Sequence, residues 1–418
     1  MRVVVLGAGV IGVTTAWALS SAGHDVVVIE RHEASAQETS FANGGQLSVS
    51  HAAPWANSAA PLTILQSVGR EDAPLLWRMR ADLTQWQWGA RFLFECLPQR
   101  TRKNVGSLLA LGLYSQRALA ELNEQNCFDY HQLQRGILHF FTDRREFARA
   151  QYGLEISNIH GANLVAKSSA ECLEMEPALR QSDDPVVGGI FAPDDGSGDA
   201  RLFSEKLTQV CSRRGVTFNF GIAVTELVCQ NEKICSVLLE NGEQIQADAF
   251  VVALGCQSTQ LLRTVGLSFP IYPLKGYSAS IDIPSGTLAP FVSLTDERHK
   301  LVFSRLGDIL RVAGTAEFNG YDTRLNVERC DALVRRTRQI FPDLSGLDNI
   351  RFWTGLRPAT PSNVPYVGAT GMSNLWLNSG HGTLGWTLAC GSAKLLAQLI
   401  DGKPPGIDPT PYYPQRRY

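Results

Sequence analysis

The chain lacks several features that would assign it elsewhere. It has no run of about 18 apolar residues, the length a helix needs to cross a bilayer, so no stretch reads as a membrane span. It has no basic excess: 38 lysines and arginines face 40 aspartates and glutamates, and a net charge of −2 leaves no electrostatic footprint for nucleic acid. Its nine cysteines, at 96, 127, 172, 211, 229, 235, 256, 330 and 390, are odd in number and include no C-x-x-C. That argues against a disulfide scaffold or a metal site and fits a reducing compartment. No internal repeat or low-complexity tract is present. Arg2 and the apolar run behind it imitate the start of a signal peptide, but Gly7, Gly9 and Gly12 interrupt what would be its apolar segment. These absences lead to the expectation of a cytoplasmic protein. With 418 residues, 44% of them hydrophobic and 19% charged, more than one core can be buried, and two domains are the default.

The strongest positive signal is the N-terminus. An apolar run, Val3 to Leu6, breaks at Gly7-Ala8-Gly9-Val10-Ile11-Gly12, which spells G-x-G-x-x-G. A helical segment follows to Gly23, then a second apolar run ends in Glu30. Strand, glycine turn, helix, strand and acid is the order of a dinucleotide-binding unit. Phosphates would sit on the N–H groups at the helix start, and Glu30 is placed to accept from a ribose.

The stretch Glu38 to Ser48 carries hydroxyls and two adjacent glycines, suited to backbone meeting a ligand; Thr39 and Ser40 are candidate phosphate donors. Residues 51 to 75 read as irregular. Residues 76 to 97 hold five aromatics and read either as a helix packed on its own domain or as an amphipathic helix touching a membrane; the modest basic content favours the first. Ala249 to Gly255 reads as a buried parallel strand ending in glycine. Near the C-terminus, Trp353 to Pro361 is rich in glycine and proline and reads as a turn that aims Arg357. Ser379-Gly380-His381-Gly382-Thr383-Leu384-Gly385-Trp386 is a second glycine turn into a helix. Two such grips far apart in the chain suit a long cofactor, and FAD fits better than NAD.

Together the N-terminal fingerprint, E-T-S-F-A-N-G-G-Q, V-V-A-L-G, Y-P-L-K-G-Y-S, G-L-R-P-A-T-P and N-S-G-H-G-T-L-G-W resemble the D-amino-acid-oxidase-like flavoproteins, and within them the FAD-containing small subunits of bacterial D-amino-acid dehydrogenases. The likeness runs nearly end to end. Gly44 stands where that family carries alanine, and Ser362-Asn363 where an acidic-glycine pair is commoner, which leaves the substrate side chain open.

The resemblance implies an α/β protein: a Rossmann-like FAD-binding domain from 1–75, 196–265 and 354–418, and a discontinuous α+β substrate domain from 76–195 and 266–353 containing a mostly antiparallel sheet. Gly7, Gly9, Val10, Ile11, Gly12, Glu30 and Arg31 would hold the adenosine half. Ser40, Asn43, Gly44, Gly45 and Gln46 would contact pyrophosphate, ribityl chain and ring. Val224 would meet the adenine, Ala253 and Gly255 the pyrophosphate. Lys275 and Gly380, His381, Gly382, Thr383, Leu384 and Gly385 would lie by the ring. Arg357 suits a planar carboxylate through its guanidinium fork, a structural ion pair being the alternative. Tyr277 and His51 are further pocket candidates. The activity implied is oxidative deamination of D-amino acids, with hydride passing to FAD and electrons onward to a quinone or an electron-transfer protein. An oxygen-using oxidase of glycine, sarcosine or a proline-type amine, and a non-catalytic flavin-binding subunit, are the alternatives. A partner subunit and peripheral contact with the inner face of the cytoplasmic membrane are left open.

Overall fold

The computed structural model describes residues 1–414 apart from 51–53, 68–69, 72, 160 and 285–288. Its first layer is a six-stranded sheet in the order Tyr366–Ala369, Leu375–Ser379, Ala249–Val252, Arg2–Leu6, Asp25–Ile29, Thr217–Asn219. All neighbours are parallel except Tyr366–Ala369 against Leu375–Ser379. Val3, Val4, Val5 and Leu6 are fully buried, because both faces of the sheet are covered, and this is why the strand reads as an unbroken apolar run.

The helix Val10–Ser21 leaves the first strand through Gly7, whose φ of 103° few other residues adopt. A Cβ on Gly12 would collide with the Gly7 carbonyl, so the third glycine of the motif lets helix and strand close up. The helix packs against Gly385–Ile400, which in turn packs against the long helix Pro98–Gln125. Gly391 donates its N–H to Ser115 Oγ at 3.0 Å there.

The second layer, among the described residues, is a nine-stranded sheet. Its path runs Ile350–Ala359, Tyr272–Asp282, Ile309–Phe318, Leu301–Leu306, Ser293–Asp296, Ile137–Phe141, Gly188–Ala192, Val165–Ser168, with Leu75–Trp77 beside Ile309–Phe318. It is mostly antiparallel, as expected; the pairings of Ser293–Asp296 with Ile137–Phe141 and of Leu75–Trp77 with Ile309–Phe318 are parallel. The helix Val327–Ile340, capped by the Asn326 side chain, covers its back through Cys330, Leu333 and Ile340.

Several expectations need correction. Strand hydrogen bonding runs straight through the segment boundaries at 75/76 and 353/354, since Leu75–Trp77 and Ile350–Ala359 both belong to the large sheet. Pro98–Gln125, expected with the substrate domain, puts Leu108, Leu111 and Leu119 into the core shared with the Val10–Ser21 helix. Part of the region read as irregular is a helix, Ala60–Ser67, seated by Ala60 and Ile64 on a cluster with Trp88 and Phe92. Arg357 is not in a turn. It lies on the edge strand Ile350–Ala359, where Pro358 stands opposite Pro273 and no inner ladder loses a donor.

Candidate active site

Between the two sheets lies a cavity of about 880 Å³. Its nucleotide-sheet wall includes Gly7, Gly9, Val10, Ile11, Glu30, Arg31, Val224, Ala253 and Gly255, and its far wall includes Trp353, Arg357, Thr315 and Gly276. The sequence separations are large, and the sheet topology brings these positions together.

At the nucleotide wall, the Val10–Ser21 helix begins at Gly9 with no side-chain cap of its own and no acidic residue in its first turn. Orphan N–H groups and the positive end of the helix dipole therefore face the cavity unopposed, apart from Val10 N–H, which donates to Ser40 Oγ at 3.1 Å. Glu30 accepts from Ala8 N–H at 2.7 Å and, with its other oxygen, from His32 N–H at 3.0 Å. Both bonds leave lone pairs on its carboxylate. Arg31 pairs with Glu38.

The loop from 39 to 47 is fastened to the large sheet. Thr39 Oγ1 donates to the Leu356 carbonyl at 2.7 Å, so it is not free for phosphate. Ser278 Oγ donates to the Ala42 carbonyl at 2.6 Å, and Arg311 to the Asn43 carbonyl at 2.9 Å. Gln46 Nε2 donates to Ser293 Oγ at 3.0 Å and to the Leu294 carbonyl at 3.1 Å. Asn43, Gly44, Gly45 and Gln46 are thereby held as part of the cavity wall.

The turn His381 to Gly385 lines the cavity and leads into Gly385–Ile400. His381 is buried, and both ring nitrogens lack a partner. Burial pushes its pKa down to about 3, so the imidazole is neutral at ordinary pH. Asn378 Oδ1 and Thr315 Oγ1 are also buried without a partner, and both residues line the cavity. Buried polar atoms are normally satisfied. Their clustering here, with the uncapped helix start, suits a large polar ligand of dinucleotide type.

At the far wall, Trp353, Gly355 and Arg357 alternate onto one face of their strand. Gly355 stands opposite Gly276 in register. A Cβ on Gly276 would lie 2.5 Å from the Arg357 guanidinium carbon, and one on Gly355 would overlap the Trp353 ring. Guanidinium and indole therefore converge over a pair of facing glycines. Arg357 Nη1 donates to the Thr315 carbonyl at 2.9 Å, and no carboxylate pairs with it among the described residues. Thr315 holds that carbonyl from a left-handed backbone (φ 54°), rare for a β-branched residue. Burial brings the Arg357 pKa down to about 10, and the neighbouring Arg329 adds to this; the group stays cationic at neutral pH. It is half-buried by area because its opening is the cavity rather than bulk water.

Other expected residues fall differently. Tyr277 touches the cavity, but its hydroxyl donates to Glu317 at 2.5 Å, and burial and that bond push its pKa far up. Lys275 is buried 3.6 Å from Glu317 and does not line the cavity. Glu317 also binds Arg78, which grips Glu71 through its other two nitrogens. Lys275 and Tyr277 thus belong to a charge network behind the sheet. Gly12 and Gly380 sit behind the wall as packing positions. His51 lies outside the described residues. Trp353, Thr315 and Gly276 were not singled out from sequence. For Trp353 and Gly276, the alternation W-x-G-x-R beside a second glycine-bearing strand was the available signal.

The sequence profile of the family described as FAD dependent oxidoreductase, DAO, matches residues 2–399. The chain belongs to that family. A D-amino acid dehydrogenase of Dechloromonas aromatica (strain RCB) is 51% identical over 409 residues, spanning 97% of this chain and 98% of the relative. One from Paramagnetospirillum magneticum (strain ATCC 700264 / AMB-1) is 45% identical over 408 residues, 97% and 96% of the two chains. Among solved structures, glycine oxidase from Geobacillus kaustophilus matches with a TM-score of 0.76 at 21% identity, over 100% of this chain and 99% of that one. L-proline dehydrogenase from P. horikoshii matches at 0.75 and 18% identity, over 99% and 97%. At those identities the structural likeness concerns the fold. This FAD-dependent oxidoreductase therefore has the Rossmann-like architecture and the cofactor expected from its sequence.

Proposed function

We propose that this oxidoreductase deaminates D-amino acids oxidatively, as a dehydrogenase. The observation that carries the reading is Arg357: a cation without an acidic partner among the described residues, aimed into the cavity by the Thr315 carbonyl, beside the Trp353 ring. Close relatives along the whole chain are named D-amino acid dehydrogenase, which gives the anion its class. Bound FAD supplies the two-electron acceptor that turns an amino acid into an imino acid, which water hydrolyses to 2-oxo acid and ammonia.

The chain's own residues orient and exclude. The Arg357 fork matches a carboxylate in two charge-assisted bonds and fixes the α-carbon. Gly7, Gly9, Val10 and Ser40 suit the pyrophosphate, Glu30 and Val224 the adenosine, and the His381–Gly385 turn the ring. Neither Tyr277, bonded to Glu317, nor His381, held neutral with a low pKa, is a base of useful strength at neutral pH. With neither of these as a base, the proposed reaction takes the substrate with its amine already deprotonated, and the amine's own lone pair assists loss of the α-hydrogen. Arg357→Ala should raise KM for D-alanine steeply while FAD stays bound. An unchanged KM would remove Arg357 from the carboxylate role. Peroxide release under air, stoichiometric with substrate, would replace the dehydrogenase reading with an oxidase.

Electrons leave to a quinone or another carrier, and the surface supports contact with a membrane. No described helix is long and apolar enough to cross one. On the helix Leu83–Glu95, Trp88 and Phe92 are buried, yet Leu83, Trp86, Leu93 and Phe94 on other faces are 51–71% exposed. Leu62 and Leu65 on Ala60–Ser67 are 60% and 70% exposed. Arg100 lies over the Phe94 ring. An apolar surface with this arginine at its edge suits an anionic bilayer. Flotation with anionic vesicles should be lost in a Trp86→Ser, Phe94→Ser double variant; flotation of neither protein would discard this contact.

A further inference from the structure

Arg311 is a buried cation that the proposed mechanism leaves without a task. It lies on Ile309–Phe318, between Ser280 and Ser304 on the flanking strands, and is 7% exposed. Its Nε donates to Ser280 Oγ at 3.0 Å and its Nη1 to the Asn43 carbonyl at 2.9 Å. Both partners are neutral. No carboxylate forms an ion pair with it among the described residues. The acid with most influence on it is Asp199, whose Oδ1 accepts from Arg201 N–H and Leu202 N–H at the start of Ala200–Arg213. Burying a charge without a counter-ion is costly, and proteins usually pair or neutralise it.

What lies above Arg311 gives the charge a use. Asn43, Gly44 and Gly45 line the cavity, and so does Ala313, two residues along the same strand. A Cβ on Gly44 would be 3.5 Å from Ala313 Cβ and 2.7 Å from Val302, so the turn rests directly on the sheet. The turn that the guanidinium holds through the Asn43 carbonyl is thus itself cavity wall. Its carbonyl dipole is fixed by the arginine, and the Asn43 side chain accepts from Gly45 N–H at 3.0 Å to complete the turn. A ligand against this wall meets a preorganised positive potential in a low-dielectric setting, where such a potential is strongest.

We infer that Arg311 is a positioning residue that shapes the Asn43–Gly45 turn and, through it, favours the reduced, anionic form of the bound flavin over the oxidised, neutral form. The inference rests on FAD dependence and does not need the amino-acid substrate. Its test is therefore a reductive titration of the holoenzyme against indicator dyes, with a chemical reductant and no amino acid. Arg311→Gln should retain FAD but lose about tenfold in preference for the reduced form, a fall of about 30 mV in the two-electron midpoint. Arg311→Lys, which keeps the charge, should restore most of that fall. An FAD-replete Arg311→Gln enzyme with the wild-type midpoint would overturn the inference and leave Arg311 as a clamp on the turn. Loss of FAD from both variants would overturn it equally, by making the side chain structural. A failure to oxidise D-amino acids would overturn the proposed function and leave this titration unaffected.

Discussion

Replacing Gly276 by alanine isolates the geometry on which the proposed carboxylate contact of Arg357 depends. The new methyl would begin 2.5 Å from the Arg357 guanidinium carbon and from Nη2, and 2.8 Å from Nε. Carbon atoms settle at about 3.5 Å or more, so the guanidinium must move by about 1 Å. Its route is constrained, since Nη1 is tied to the Thr315 carbonyl and the Trp353 ring lies over the facing glycine. A misplacement of about 1 Å in a binding group can cost about 10²-fold in rate, or ~2.7 kcal/mol. We expect kcat/KM for D-alanine to fall by about that factor, mainly through KM, because the carboxylate contact is made in ground and transition states alike. Stability should hardly move. Gly276 has no left-handed φ, and alanine restricts the unfolded chain by about 0.4–1 kcal/mol in favour of folding, which offsets part of the strain. Steady-state kinetics with flavin absorbance and a thermal melt decide the matter. A folded, FAD-replete Gly276→Ala enzyme with a wild-type KM would show that Arg357 does not act from its place over this glycine.

Tyr277→Phe should leave KM for D-alanine within about twofold but cost about 1.5–3 kcal/mol of stability in urea unfolding, because the hydroxyl bonds a buried carboxylate. A large KM change with full stability would return Tyr277 to the substrate pocket. His381 is held neutral in the fold, with its pKa brought from 6.5 to about 3. The unfolded chain therefore binds the extra proton across this window, and stability falls as pH drops from 6.5 towards 3, by at most about 1.4 kcal/mol per unit. His381→Gln should flatten that slope between about pH 6.5 and about pH 4.5, read from urea midpoints; an unaltered slope would mean the imidazole is not buried as a neutral base. Gly391→Ala would set a methyl 2.7 Å from Ser115 Cα and should lower stability by about 1–3 kcal/mol by parting two long helices. A melt identical to wild type would show that this crossing is looser than it looks.

The N-terminal unit was legible because each part has a local cause: an apolar run buried on both faces, a glycine that must turn, a glycine that must let a helix approach. Arg357 was singled out for the chemistry of its side chain, but its structural setting was not legible. Gly355 and Pro358 are turn formers by composition, whereas in the fold one glycine makes room for an indole and the proline sits on an edge where it breaks no inner pairing. Lys275 and Tyr277 were misplaced for a related reason. On Tyr272–Asp282 all residues but the last are buried, so no alternation of polarity tells which side faces the cavity. Only the third dimension shows Gly276 turned to the Arg357 guanidinium and Ser278 to the Ala42 carbonyl, with Lys275 and Tyr277 turned to Glu317. The packing of Pro98–Gln125 was equally hidden, because its partner helix comes nearly three hundred residues later. Thr315 left no trace at all, since its residue type opposes the backbone it adopts.

The order of strands in the nucleotide sheet also governs how the molecule comes into being. Its central strand, Arg2–Leu6, is made first, yet its neighbour Ala249–Val252 and the next strand, Leu375–Ser379, arrive much later. The Val10–Ser21 helix packs on both Ala200–Arg213 and Gly385–Ile400, and the second of these partners comes late in the chain. At roughly 5–20 residues per second of synthesis, the part of that helix which meets Gly385–Ile400 stays uncovered for roughly 20–70 s on a growing chain. The Gly7–Ile11 and His381–Gly385 turns that line the cavity cannot meet before that time. Nascent chains of this oxidoreductase should therefore lean on chaperones, and FAD capture should be a late event that closes folding rather than one that seeds it.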